Sequence, residues 1–161
     1  MVESLTRAEP TVVCFAFLPA STPLHFWARR QAHETTIHRV DVESAAGSVS
    51  PIDPALAADG IDELVAGFVP RPRTSPRTDA PRTLRLVPDD DPARWLLRFG
   101  PGSVVTTRDP DVGKPADCTV RGPAADLYLA LWNRGTLAGL TIDGDASLLD
   151  LFRDRVTIRW S

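Results

Sequence analysis

The first half of the chain shows a helical hydrophobic period in two places, each opened by a residue suited to capping a helix. Thr22 followed by Pro23 predicts the start of a long helix, which ends at Gly47 because glycine fits the left-handed position after a helix. Asp53 followed by Pro54 predicts a second helix. Its apolar stripe consists of Leu56, Ile61, Leu64, Val65 and Phe68. Two helices bury little surface, so this half lacks the mass of a self-sufficient helical domain.

Residues 70–82, PRPRTSPRTDAPR, separate these helices from the rest of the chain. The segment holds four prolines, four arginines and no large apolar side chain. Proline favours extended geometry, so the composition predicts a semi-rigid linker between two units. A docking ligand or a basic nucleic-acid arm has a similar composition and is the alternative interpretation. We therefore predict a helical part over residues 1–69, a linker over 70–82 and a second domain over 83–161.

Beyond residue 82 the hydrophobic pattern takes the shorter period of β-strands. Strands are predicted over residues 83–87, 93–99, 103–107, 117–121, 140–142 and 156–160. Gly100, Pro101 and Gly102 predict a hairpin turn between the second and third strands. Helices are predicted over residues 124–134 and 146–152. Strands followed by packed helices indicate an α+β domain.

Composition narrows the class of protein. The chain has 161 residues, of which 43% are hydrophobic and 24% charged, so it has enough apolar mass for a core and is not expected to be disordered. Prolines interrupt the longest stretch without Asp, Glu, Lys or Arg, Pro10 to Ala28, so no membrane span is expected. Cys14 and Cys118 are too few for a disulfide scaffold, and no signal peptide is recognisable. These features predict a cytoplasmic protein.

Charge is spread unevenly along the chain. Residues 1–69 carry 4 basic and 9 acidic groups, residues 70–82 carry 4 and 1, and residues 83–161 carry 10 and 11, for a net charge of −3. None of the three segments offers the broad basic face that binding to a phosphate backbone requires. We therefore expect no nucleic-acid partner.

All three histidines, His25, His33 and His38, fall on the first predicted helix. His33 and His38 are five residues apart, about 140° around the helix, which excludes the zincin pattern with its histidines four residues apart. Glu34 and His38 are four residues apart and share a face, so a carboxylate oxygen and an imidazole nitrogen can converge on one metal ion. The same face carries Trp27, Arg30, Glu34, His38 and Asp41.

Two ligands from one helix do not make a complete metal site. Catalytic zinc usually takes three protein ligands, and His25 lies about 180° from Glu34 around a straight helix. The alternative interpretation is that Glu34 and His38 form a hydrogen-bonded surface pair, with Arg30 and Asp41 as solvated charges. The G-x-S-x-G nucleophile motif and glycine-rich phosphate loops are absent from the sequence.

Several long strings resemble one known family. Residues 26–47, FWARRQAHETTIHRVDVESAAG, and 51–71, PIDPALAADGIDELVAGFVPR, resemble the end of the metal-binding, DinB-like helical domain of the mycothiol-dependent maleylpyruvate isomerase family. Residues 118–134, CTVRGPAADLYLALWNR, and 141–149, TIDGDASLL, resemble its C-terminal domain, a sterol-carrier-like α+β unit. The resemblance implies a mainly antiparallel sheet in the second domain.

The resemblance also implies a metal site and a reaction. Glu34 and His38 would be two ligands of a divalent metal, zinc by preference, and mycothiol would be the thiol cofactor. In intact relatives the activated thiolate adds to a conjugated alkene and leaves after rotation about the bond. A basic residue of the C-terminal domain lies near the substrate carboxylates, and motif position assigns this role to Arg134. Its alternative role is a favourable charge at the end of a helix.

The third metal ligand of the family is a histidine from an earlier helix, and residues 1–21 contain no histidine. The resemblance therefore implies an N-terminally truncated member with an incomplete site that binds metal weakly. Asp41 would support the ligand set, whereas His33 would be structural.

Three functions stay open on this evidence. The chain is a member with an incomplete metal site, an active thiol-dependent isomerase or transferase, or a small-molecule or partner-binding module formed by residues 83–161. In the second case another subunit, or His25 through a bent helix, would complete the site. A small-molecule thiol and its substrate are the expected partners. Self-association is also expected, because the helices lack bundle partners.

Overall fold

The computed structural model describes residues 2–108 and 113–158. The chain divides into two compact units, Met1–Ser50 and Pro51–Ser161. Within the described residues no helix is both apolar enough and long enough to cross a lipid bilayer.

The first unit contains a short helix, α1 (Val2–Arg7), and a long one, α2 (Pro23–Ala45). The side chain of Thr22 caps α2 by accepting a hydrogen bond from the His25 N–H at 3.0 Å. Gly47 follows the helix with φ +84°. The N–H of Ser48 donates to the carbonyl of Glu43 at 3.1 Å, as in a Schellman motif. Both predicted ends of this helix are confirmed, whereas α1 was not predicted.

Aromatic side chains hold the segment before α2 against the start of that helix. Phe17 packs edge to face on Phe26, with ring centroids 4.8 Å apart, and Phe26 packs in the same way on Trp27 at 4.9 Å. The indole Nε1 of Trp27 donates to the carbonyl of Phe15 at 2.8 Å. Trp27 therefore takes part in packing within this unit.

The second unit is built on a five-stranded sheet. Its strands are β1 (Arg82–Pro88), β2 (Trp95–Phe99), β3 (Val105–Arg108), β4 (Cys118–Gly122) and β5 (Thr141–Gly144). They lie in the order β3-β2-β1-β4-β5. Strands β1 and β4 run parallel, and all other neighbours are antiparallel. The predicted α+β class with a mainly antiparallel sheet is confirmed.

The helices of this unit are α3 (Pro54–Asp62), which continues as a π-helical segment (Glu63–Phe68), α4 (Ala124–Leu131) and α5 (Ser147–Arg155). Asp53 caps α3 as predicted, accepting from the N–H of Ala55 at 3.0 Å. Asp90 caps α4, accepting from the N–H of Ala124 at 2.8 Å. Helix α3 packs against α4, and α4 packs against β1 and β4.

The buried face of the sheet is hydrophobic because side chains alternate between the two faces of a strand. Leu84 lies opposite Leu97 and Leu86 opposite Trp95 across β1 and β2, and Leu86 also lies opposite Val120 on β4. All five side chains are fully buried. This face and the helices above it form the core of the second unit.

The compact units divide the chain between residues 50 and 51, a different place from the predicted linker over 70–82. That segment joins the π-helical segment to β1 within the second unit. The Thr78 N–H donates to the carbonyl of Gly100 at 3.0 Å, and the Val104 N–H donates to Ser75 Oγ at 2.6 Å. Of its prolines Pro76 is buried, whereas Pro72 and Pro81 are exposed, so the segment is a surface connection that two hydrogen bonds fix to residues far along the chain.

The predicted strand over residues 156–160 differs from the structure. Residues 156–158 are not in a strand, and residues 159 and 160 lie outside the described residues. The N–H of Val156 donates to the carbonyl of Phe152 at 2.8 Å, so the end of α5 uses this backbone donor.

Three charged side chains join β1, the start of β4 and the start of α5. Arg82 contacts Asp117, with Nε 3.2 Å from Oδ1, and Asp145, with Nη2 2.7 Å from Oδ2. Hydrogen bonds from Ser147 and from Arg82 lower the pKa of Asp145 from 3.8 to about 2. Hydrogen bonds from Thr83, with a smaller effect of Arg82, lower the pKa of Asp117. Both carboxylates are thus stabilised in their charged form.

We expect the folded protein to lose stability as the pH falls from about 4 toward 2. Because the pKa of Asp145 is lower in the folded state, the unfolded chain binds more protons in this range, and protonation favours unfolding. The D145N variant should show a shallower pH dependence of the urea midpoint between pH 2 and 4. D154N, at an exposed position of α5, is the control and should behave as the wild type. Equal pH dependence in D145N and the wild type would contradict this account.

We expect G60A to be destabilised, although alanine favours a helix by about 1 kcal/mol over glycine. A Cβ at Gly60 would overlap the fully buried ring of Tyr128, and overpacking of this kind costs roughly 1–3 kcal/mol. Urea denaturation measures the difference. In the G60A/Y128L double variant the ring is gone, so the penalty of G60A should shrink. A G60A single variant that is more stable than the wild type would show that the Tyr128 ring does not exclude a side chain at position 60.

Candidate functional site

The side chains of Glu34 and His38 meet on α2, one turn apart. Glu34 Oε2 lies 3.2 Å from His38 Nε2. The side chain of Glu34 is 18% exposed and that of His38 is 68% exposed, so the pair sits at the edge of the buried face of the helix. The imidazole is open to a ligand from solvent.

Arg30 holds the other oxygen of this carboxylate. Its Nη2 donates to Glu34 Oε1 at 2.6 Å, and its side chain is only 1% exposed. Arg30 is therefore not the solvated charge that the surface-pair interpretation expected. A buried guanidinium needs a charged partner, and here it fixes the orientation of the Glu34 carboxylate.

Asp41 lies beside the second ring nitrogen of His38. Its Oδ2 is 3.9 Å from His38 Nδ1, which is longer than a hydrogen bond. The ring of His38 therefore has a carboxylate oxygen near each nitrogen, and the nearer one is Glu34 Oε2, 3.2 Å from Nε2.

The separation of the two donor atoms fits one metal ion. Two ligands bound tetrahedrally to zinc at about 2.0–2.1 Å lie roughly 3.3 Å apart. The pair at 3.2 Å matches this value, and the same distance also suits a direct ion pair. Within residues 2–108 and 113–158, no group of three or more His, Cys, Asp or Glu side chains could hold a metal ion. In the described residues Glu34 and His38 thus have the spacing of two donors but no third side chain of these types beside them.

The other histidines do not join this pair through the helix. His33 is fully buried, and His25 is exposed near the start of α2, where its Nδ1 lies 3.1 Å from Ser21 Oγ. Because α2 is continuous from Pro23 to Ala45, nine residues place His25 about 13 Å from Glu34 along the axis. The structure therefore lacks the bend in α2 that would bring His25 to Glu34.

Arg134 lies in the second unit, directly after α4. Its side chain is exposed, and its Nη1 donates to the carbonyl of Trp132 at 3.1 Å. A cation at this place is favourable to the helix dipole. A guanidinium open to solvent is also able to bind a carboxylate with two parallel hydrogen bonds. Both predicted roles of Arg134 remain compatible with its position.

The two cysteines have opposite environments. Cys118 on β4 is fully buried, and burial, with a smaller effect of nearby aspartates, raises the pKa of its thiol to about 11. A thiol with this pKa is neutral at physiological pH and is neither a nucleophile nor a metal ligand. Cys14 is exposed. Neither cysteine adds a donor to the pair on α2.

The sequence analysis missed a polar cluster at the end of α3. Asp62 Oδ1 accepts from Trp95 Nε1 at 2.9 Å and lies 3.0 Å from Arg108 Nη2. The Arg108 guanidinium lies 5.3 Å from the centroid of the Trp95 ring, a cation–π contact. These residues come from α3, β2 and β3, and no spacing in the sequence links them. The cluster fastens α3 to the edge of the sheet.

The comparisons with known proteins place the chain in a family. The family model of the MDMPI C-terminal domain, the C-terminal domain of maleylpyruvate isomerases, matches residues 55–151, more than half of the chain. The chain belongs to this family, as the resemblance indicated. The match begins within α3, so this helix is part of the family domain. No curated protein has a significant sequence match to the chain.

Three solved structures match parts of this chain at low sequence identity and low TM-score. The inverting sec-alkylsulfatase Pisa1 from Pseudomonas sp. is 20% identical with a TM-score of 0.42, and the match covers 50% of this chain and 13% of that one. UbiJ-SCP2, a ubiquinone synthesis protein, is 21% identical with a TM-score of 0.40, covering 66% and 96%. A conserved hypothetical protein from Thermus thermophilus, suggested to be a sterol carrier protein, is 16% identical with a TM-score of 0.36, covering 67% and 91%. Such low values carry no information on activity.

We expect a thiol-specific reagent to modify one cysteine of the native protein. Cys14 is exposed, whereas Cys118 is buried with a raised pKa. At neutral pH the reagent should modify C118A at the wild-type rate and leave native C14A unmodified. Unfolding in guanidinium should make Cys118 react in C14A. Fast modification of native C14A would show that the Cys118 thiol is accessible and reactive, which would contradict its description as a buried, neutral thiol.

Proposed function

We propose that this member of the maleylpyruvate isomerase family binds a divalent metal ion, zinc by preference, through Glu34 and His38. The observation that carries the proposal is the 3.2 Å separation of Glu34 Oε2 and His38 Nε2, which suits two ligands of one ion. Two protein donors hold an ion weakly, so the site is incomplete without a further donor. Water, a thiol or a second subunit can supply it.

The neighbours of the pair support this role. Arg30 binds Glu34 Oε1 and so leaves Oε2 for the ion. Asp41 Oδ2 lies 3.9 Å from His38 Nδ1, on the side of the ring where an outer carboxylate supports a ligating imidazole. In the absence of an ion, Glu34 and His38 contact each other directly.

We assign to the complete site a thiol-dependent cis–trans isomerisation, with mycothiol as the thiol. When bound, the metal would lower the pKa of a coordinated thiol and so supply a thiolate at neutral pH. Arg134 would bind a carboxylate of the substrate, because its planar guanidinium matches a carboxylate with two hydrogen bonds. Glu34, His38 and Arg134 are the residues on which this function depends.

Zinc binding tests the proposal. We expect the purified chain to bind zinc with a Kd no tighter than about 1 µM, about −8 kcal/mol, in competition with a chromophoric chelator. The E34A and H38A variants should each weaken binding at least about tenfold, since one of two donors is lost. H25A is the matched control, because it removes an exposed histidine about 13 Å away on the same helix.

Two results would overturn it. Unchanged zinc affinity in both E34A and H38A would place the ion elsewhere, and stoichiometric zinc retained through dialysis against a chelator would show that the site is complete. Mycothiol-dependent isomerisation of a cis-dicarboxylate substrate, measured with zinc present, extends the test. Isomerisation that survives unchanged in E34A and H38A would exclude the assigned role of these two residues.

A further inference from the structure

Helix α4 ends in a Schellman motif at the residue just before Arg134. The N–H of Asn133 donates to the carbonyl of Ala130 at 3.2 Å, and that of Arg134 donates to the carbonyl of Leu129 at 2.8 Å. Asn133 has φ +59° and is the one residue other than glycine with a positive φ in residues 2–108 and 113–158. Glycine adopts this conformation at lower cost, so the asparagine side chain calls for an explanation.

The side chain of Asn133 ties the end of α4 to the end of α5. Its Nδ2 donates to the carbonyl of Arg153 at 2.9 Å and lies 3.4 Å from the carbonyl of Val156. Its Oδ1 accepts from Arg153 Nε at 3.2 Å. Glycine at this position could form the same turn but none of these three bonds.

Arg153 completes the connection from the other side. Its Nε also lies 3.2 Å from the carbonyl of Ala130, and its Nη2 donates to the carbonyl of Gly135 at 3.4 Å. Arg153 therefore binds the backbone both before and after Arg134. We call these bonds of Asn133 and Arg153 the α4–α5 clasp.

We infer that Asn133 and Arg153 are positioning residues for Arg134. The clasp holds the backbone on both sides of Arg134 and so sets the direction in which its guanidinium leaves the helix. Binding a carboxylate with two parallel hydrogen bonds requires an aligned guanidinium, and a misplacement of about 1 Å is costly. This inference rests on the proposed role of Arg134 in binding a substrate carboxylate.

The test compares N133G and R153M with the wild type in the full chain. N133G keeps the backbone turn, which glycine favours, and deletes the side-chain bonds of the clasp. R153M keeps the aliphatic stem and removes the guanidinium. R155M, at an exposed position of the same helix, is the matched control. Four quantities are measured: the affinity for maleate, used as a short dicarboxylate probe, the NMR signal of Arg134 Nε–Hε during the titration, the heteronuclear NOE of the Arg134 backbone amide, and the urea midpoint.

We expect N133G and R153M to weaken maleate binding about tenfold and to reduce the heteronuclear NOE of the Arg134 amide. R155M should leave both unchanged. Wild-type maleate affinity and an unchanged Arg134 NOE in N133G would overturn the inference, even if the urea midpoint falls, because the clasp would then be only structural. If R153M does not fold, the maleate affinity and the Arg134 NOE of N133G alone test the inference.

The R134Q variant separates this inference from the function on which it rests. If maleate leaves the wild-type Arg134 Nε–Hε signal unmoved and R134Q binds maleate as the wild type does, the carboxylate-binding role of Arg134 is wrong. The Arg134 NOE in N133G still reports whether the clasp orders this backbone. A maleate affinity lost in R134Q but unchanged in N133G would leave the function standing and remove the positioning role.

Discussion

The second unit depends on the close approach of α3 to α4 at a single glycine. Because Gly60 has no side chain, the buried ring of Tyr128 lies directly against the backbone of α3, and Trp132 Nε1 lies 3.5 Å from the Gly60 carbonyl. The π-helical segment that follows then reaches the edge of the sheet, where Thr106 Oγ1 donates to the carbonyl of Val65 at 2.5 Å. Through these contacts α3 packs with α4 and the sheet, in agreement with the family match that begins within α3.

The residues that carry the proposed chemistry lie on helices or directly after them. Glu34 and His38 face each other because α2 is continuous and capped at both ends, so two residues four positions apart lie one turn apart. Arg134 follows a helix whose last turn is held by Asn133 and Arg153. In both cases hydrogen bonds near the functional group restrict it before any ligand arrives, which reduces the entropy lost on binding.

The sequence predicted part of the candidate site. The spacing of Glu34 and His38 was enough to place them together, since the geometry of a helix is the same in every protein. It did not reveal that Arg30 is buried and binds Glu34, because helical period shows which residues share a face and not what covers that face. The cluster around Asp62 was missed for a related reason, as its members lie on three different elements.

Capping residues, hydrophobic period and turn residues determined the ends of α2, the start of α3 and the strands of the sheet, because these depend on residues close together in the chain. Tertiary structure alone decided that α3 packs on α4, that β1 runs parallel to β4, and that residues 70–82 hydrogen-bond to the segment between β2 and β3. It also decided that the thiol of Cys118 is neutral. Each of these outcomes requires contact between residues tens of positions apart, and no local pattern specifies which distant surfaces will meet.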